Sequence, residues 1–264
     1  MLSNLQWIFL ASILFITIGG GYAPLFGKKS RAGQLGFPRG EAFAAGVFLA
    51  LSLTIMLPSG LHLLSVSFPK FNFPLASLIA ITTFLVLLGM EQFTTHLKNS
   101  REITKDTPPP GIIPIIMTIM IAIPSFFLGT ALGIGKVQTE LFIFIAIIMH
   151  KGTAAFALTL KMVNSTLTRT QTLITFSLFA FATPFGIFIG ADAQQYLTSD
   201  TMVLIKGIIL SLASGTFLYM ATLHDLDHTA LIKNCRDKRG YLMILLGFII
   251  TALVRFLLGE AHHL

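Results

Sequence analysis

A chain of 264 residues that is 54% hydrophobic and only 11% charged, with a mean hydropathy of +0.82, is too apolar for a soluble domain, where about 25% of residues are charged. In a soluble protein the net charge of +7 would suggest a nucleic-acid partner. Here it belongs to the cytoplasmic loops of an integral membrane protein, and the single cysteine, Cys235, excludes an intrachain disulfide.

A membrane-crossing helix needs roughly 20 mostly apolar residues. Eight stretches satisfy this: about 6–27, 42–65, 74–96, 112–134, 140–162, 171–191, 201–223 and 240–258. The first lacks a basic leader and a small-residue cleavage site, so it is expected to be a retained span and not a signal peptide. The connectors are short and polar, and 97–111, ending in Pro108, Pro109 and Pro110, is a stiff loop between spans three and four. No connector is long enough for a second domain, so residues 1–264 are expected to form one all-α membrane domain.

Alternate connectors differ in charge. One side carries thirteen Lys and Arg residues, in four groups: Lys28 to Arg39, Lys98 to Lys105, Lys161 with Arg169, and Lys233 to Arg239. The other carries two, Lys70 and Lys136. Because basic residues accumulate on the cytoplasmic side, both termini are expected outside the cytoplasm, in a multi-pass cell-membrane protein.

Ionisable residues inside a span are costly and tend to mark a transport path. His62 and His96 lie near span ends and are read as interfacial, while Lys206 and Arg255 lie close enough to span ends to snorkel. Glu91 is deeper, and it suits an internal hydrogen bond as well as it suits a transport role. His150 and Lys151 sit near the middle of span five, in IIMHKGTAAF, where neither easily reaches water. Two readings stay open there: a packed neutral imidazole beside a paired lysine, or a polar path with His150 as a metal ligand. Span seven runs out through His224-Asp225-Leu226-Asp227-His228. On a helix His224 and His228 share a face at i,i+4, with Asp227 or Asp225 flanking, a donor set suited to zinc. The alternative is an ordinary polar helix end.

Several stretches, in order, resemble the ZIP (Zrt/Irt-like) family of divalent metal transporters, its zinc-importing animal branch above all. They are AFAAGVFLALSLTIMLPSG (42–60), FLVLLGMEQ (84–92), His150-Lys151-Gly152, TPFGIFIG (183–190) and SGTFLY (214–219). The resemblance implies eight helices in a 3+2+3 bundle, both termini outside, and an inverted repeat relating spans one to three with six to eight. It also implies metal passing between helices two, four, five and seven, with His150 as a main ligand and Lys151 at a second metal position.

Span four departs from the family pattern. Where the family has H-S-x-F-E-G-x-A-x-G, this chain has Pro124-Ser125-Phe126-Phe127-Leu128-Gly129-Thr130-Ala131-Leu132-Gly133. Both ligands, a His and a Glu at i,i+4, are replaced, by Pro124 and Leu128. Ile55 and the sequence around His224 depart in the same way. Lys151, whose usual partner would be that Glu, is expected to find Ser125, Glu91 or backbone carbonyls.

The reading is a ZIP-type carrier of a divalent metal, most readily zinc, into the cytoplasm. His150, His224, Asp227 and His228 are the metal residues, and Lys151, Ser125 and Glu91 the polar path. The metal is substrate; no permanently bound cofactor and no enzymatic activity are expected. Partners are the metal ion and the lipid bilayer, with a homodimer left open and no nucleic acid. The alternative is a divergent homologue with altered substrate or no transport, acting as sensor or scaffold, because the span-four ligands are replaced. An intramembrane hydrolase using the 224–228 cluster is a third reading, weakened by the absence of a nearby Ser-His or Glu arrangement.

Overall fold

A computed structural model describes residues 3–26, 38–70, 73–99, 109–134, 137–193, 195–223 and 238–260. Over these residues the chain is helical, in eight elements. They are α1 (Asn4–Phe26), α2, α3 (Leu75–Asn99), α4 (Ile112–Gly133), α5 (Val137–Val163), α6 (Arg169–Ala193), α7 (Ser199–Leu223) and α8 (Lys238–Glu260). Helix α2 has three parts: Pro38–Ala50, a π-helical stretch Leu51–Met56, and Leu57–Ser67. Among the described residues six helices are long and apolar enough to cross a membrane. The other two, α5 and α8, are 27 and 23 residues long. The eight expected spans match the eight helices, with ends differing by a few residues. The all-α membrane fold is thus established.

The π stretch in α2 has a local cause in Pro58. A proline inside an α-helix lacks its own N–H and clashes with the carbonyl four residues back, here that of Thr54. The chain relieves this by widening one turn. The Leu57 N–H reaches back five residues to the Ser52 carbonyl, and the Thr54 hydroxyl donates to the Ala50 carbonyl at 2.6 Å. Hydropathy carries no signal for such a turn.

The described helices divide into two compact units, with the boundary between Leu88 and Gly89 inside α3. The first unit contains α1, α4, α5, α6 and the end of α3. The second contains α2, α7, α8 and the start of α3.

In the first unit α4 and α6 cross so closely that their glycines are required. A Cβ on Gly129 would collide with the Thr183 carbonyl, and one on Gly133 with the Ile187 carbonyl. Reciprocally, Gly186 faces the Phe126 carbonyl and Gly190 the Thr130 carbonyl. Two Gly-x-x-x-Gly stripes thus interlock, the arrangement by which membrane helices gain van der Waals contact without a hydrophobic driving force. Helices α1 and α5 meet the same way, Gly20 lying on the Gly152 carbonyl.

The first unit also shows how its helices alternate. At one end the Thr166 N–H donates to the Pro109 carbonyl at 3.0 Å, and the Thr166 hydroxyl accepts from the Gly111 N–H at 2.8 Å. The α3–α4 and α5–α6 connectors therefore share that end. At the start of α1, Ser3 and Gln6 form a reciprocal capping pair. The Gln6 Nε2 also donates to the Gly133 carbonyl at the end of α4, at 3.0 Å.

In the second unit, α2 and α8 cross through Gly46 and Gly247. Helices α2 and α7 are joined by a serine pair. The Ser52 hydroxyl donates to the Ser214 carbonyl at 2.8 Å and lies 3.0 Å from the Ser214 hydroxyl. Ser52 is the residue whose carbonyl closes the π turn, so the widened turn and the interhelical lock share one residue.

Candidate functional site in the first unit

His150 is the central residue of the 27-residue α5 and is 3% exposed. Lys151, beside it, has no exposed surface. Gly152 follows the pair. With no side chain there, α1 approaches until Gly20 rests on the Gly152 carbonyl.

A buried amine needs partners, since burying an unpaired polar group costs roughly 2–7 kcal/mol. Lys151 finds its partners on α6. Its Nζ donates to the Thr183 hydroxyl at 2.9 Å and lies 4.0 Å from the centroid of the Phe179 ring, a surface suited to an ammonium group. Phe179 and Thr183 are i,i+4 and share a face of α6. Both are buried, Phe179 completely. The expectation that Lys151 would turn to Ser125, Glu91 or backbone carbonyls is therefore corrected: a hydroxyl and an aromatic ring receive it. Thr183 opens the TPFGIFIG stretch, so its letter was visible as a family signature. Its contact with a lysine 32 residues away was not.

Thr183 joins three helices. Its backbone carbonyl lies against Gly129 of α4, its hydroxyl holds Lys151 of α5, and it belongs to α6. Gly129 follows Leu128 directly in sequence. Leu128 is 1% exposed, Pro124 is buried and Ser125 is 4% exposed. Neither Pro124 nor Leu128 has a donor atom in its side chain, so of these three only Ser125 supplies a side-chain oxygen. Glu91 is half-buried on α3. His62 and His96 are exposed, as expected for residues near span ends.

Among the described residues no three His, Cys, Asp or Glu side chains come together as a metal-holding group. The expected cluster of His224, Asp227 and His228 lies outside the described residues.

The family model for "ZIP Zinc transporter" matches residues 3–111 and 104–255. Zinc transporter ZIP1 of Mus musculus is 27% identical over 257 residues, covering 84% of this chain and 78% of its own length. Zinc transporter ZIP1 of Takifugu rubripes is 25% identical over 294 residues, covering 94% and 96%. Zinc transporter 3 of Arabidopsis thaliana is 23% identical over 271 residues, covering 90% and 80%. With its helices, its central His-Lys-Gly and a match running nearly end to end, the chain belongs to the ZIP zinc transporter family.

Proposed function

We propose that this chain carries a divalent metal ion, zinc before others, across a cell membrane into the cytoplasm, with both termini on the extracytoplasmic side. The observation that carries the reading is an imidazole buried at the centre of a 27-residue helix in a chain of a zinc-transporter family. An ionisable residue at such depth ordinarily belongs to a path for ions, and neutral imidazole is the commonest metal ligand among side chains. His150 is the principal metal residue in this reading. Ser125, Lys151 and Glu91 line the polar path, and His224, Asp227 and His228 receive the ion on the cytoplasmic side. The metal is cargo, not a resident cofactor. The chain acts as a carrier and not as an enzyme. Its driving force is the ion gradient and membrane potential, since the sequence has no Walker-type phosphate loop.

A second reading is favoured by one specific observation: Pro124 and Leu128 stand where the family pattern has its span-four ligands. Zinc ordinarily takes about four ligands, and one imidazole with weak oxygens falls short of that. In this reading the substrate is altered, or transport has given way to sensing or scaffolding.

One experiment separates the two. Purified protein in liposomes is offered Zn²⁺, Fe²⁺, Mn²⁺, Co²⁺ and Cu⁺. Comparison is with His150→Ala and with the double variant His224→Ala/His228→Ala. Carriage of a divalent metal predicts uptake that falls at least tenfold in His150→Ala and by a smaller factor in the double variant. Folded wild-type protein that moves none of the five metals establishes the second reading. Uptake of Cu⁺ alone would identify an altered substrate.

A further inference from the structure

Lys151 is a long, flexible side chain next to the proposed metal residue. Consecutive residues on a helix project about 100° apart, and a lysine has four rotatable carbons on which to swing. Left untethered, its amine could enter the space through which a cation approaches His150. The structure holds it elsewhere, on α6, by the Thr183 hydroxyl at 2.9 Å and the Phe179 ring at 4.0 Å. The anchor is itself immobilised, because the Thr183 carbonyl is pressed on Gly129 of α4. That point is one residue from Leu128, where the family pattern has a carboxylate and this chain has an isobutyl group. With no acid at that position, the anchor seen in this chain is Thr183, from α6.

We propose that Thr183, with the ring of Phe179, is a positioning residue for transport: it holds the Lys151 amine against α6, at the wall of the polar path, so that the amine does not swing across the cation's approach to His150. This rests on the carrier function proposed above. It assigns a role to two buried residues of α6 that receive the lysine in a chain with no acid at position 128.

The test is a double-mutant cycle in proteoliposomes, using uptake of the metal that the wild type carries. Thr183→Val keeps the side chain's shape and removes the hydroxyl. Its uptake is expected to fall at least tenfold, mainly through a raised KM, because the amine now competes with the ion for the approach. Thr183→Ser should recover most of the loss. In Lys151→Met/Thr183→Val nothing remains to be tethered, and uptake should return to within about threefold of Lys151→Met alone. A merely structural role for Thr183 would not be relieved by removing the lysine. Equal impairment of Thr183→Val and the double variant relative to their own backgrounds would overturn the proposal, as would a Thr183→Val protein that transports normally. A melting curve for each variant identifies loss of fold. In a variant that unfolds, Phe179→Leu replaces Thr183→Val in the same cycle and is read by the same criteria. Wild-type protein that moves no metal would instead end the carrier reading and this role with it. That result is distinct from an active wild type with additive variants, which overturns the positioning role alone.

Discussion

In the first unit the buried polar side chains include an imidazole and an amine, His150 and Lys151. In the second unit, among the described residues, they are hydroxyls: Ser52, Ser211, Ser214, Thr216 and Thr251. The hydroxyls answer one another or their own helices. Ser52 and Ser214 form a closed pair, Ser211 donates to the Gly207 carbonyl, and Thr251 to the Gly247 carbonyl. Such groups are satisfied within one or two helices and need nothing further. The lysine is different. It requires a hydroxyl and an aromatic face from α6, itself fixed by a glycine crossing with α4. Hydroxyl pairs serve as interhelical fasteners, whereas a buried amine and imidazole demand a dedicated surrounding. Chains rarely retain such groups in a membrane without a functional use for them.

The sharpest way to break this comparison is to disturb the packing on each side. Gly186→Val drives a Cβ into the Phe126 carbonyl of α4, and Gly247→Val does the same to the Phe43 carbonyl of α2. Backbone cannot give way as a side-chain tip can, so each change should cost about 3 kcal/mol or more, the upper end of overpacking penalties. Thermal unfolding in detergent measures it. The two should part in function: traces of folded Gly186→Val protein are expected to show impaired metal uptake, because α6 carries the Lys151 anchor. Equal functional loss per unit of lost stability in both variants would remove the distinction between the units.

A smaller effect is expected at the serine pair. Ser52→Ala should lower stability by about 1 kcal/mol, in the range for interhelical hydrogen bonds in membranes. Adding Ser214→Ala should cost little more, because the two hydroxyls act as one contact. Unfolding midpoints of the two singles and the double test this, and strictly additive losses would contradict it. Metal selectivity in these variants should match the wild type.

The smallest effect is expected at Thr118, whose buried hydroxyl donates only to the Pro114 carbonyl one turn back at 2.6 Å. Thr118→Val keeps the shape and should change stability by about 0.5 kcal/mol or less, since such a bond duplicates the helix's own. A large shift in unfolding midpoint would mean that this hydroxyl serves the site.

Much of the architecture was legible in the letters. Eight apolar runs became eight helices because in a bilayer every backbone group must be paired, and helices do this within one segment. The depth of His150 and Lys151 followed from counting along span five. The loss of ligand atoms at Pro124 and Leu128 needed only a motif to set beside the sequence. The glycines of TPFGIFIG and of Gly129 to Gly133 were visible as letters, but nothing local told that the two stripes would interlock.

Sequence by itself determined that the chain is an all-α membrane protein, where its eight helices lie, which family pattern it follows, and that an imidazole and an amine lie at the middle of the fifth. Those properties are set by composition and by periodicity along one helix. Only the tertiary structure decided that α4 and α6 meet backbone to backbone, that Ser52 pairs with Ser214, and that Lys151 rests on Thr183 and Phe179. Each of these depends on which faces of distant helices are pressed together, and in a uniformly apolar chain hydropathy does not distinguish one face from another.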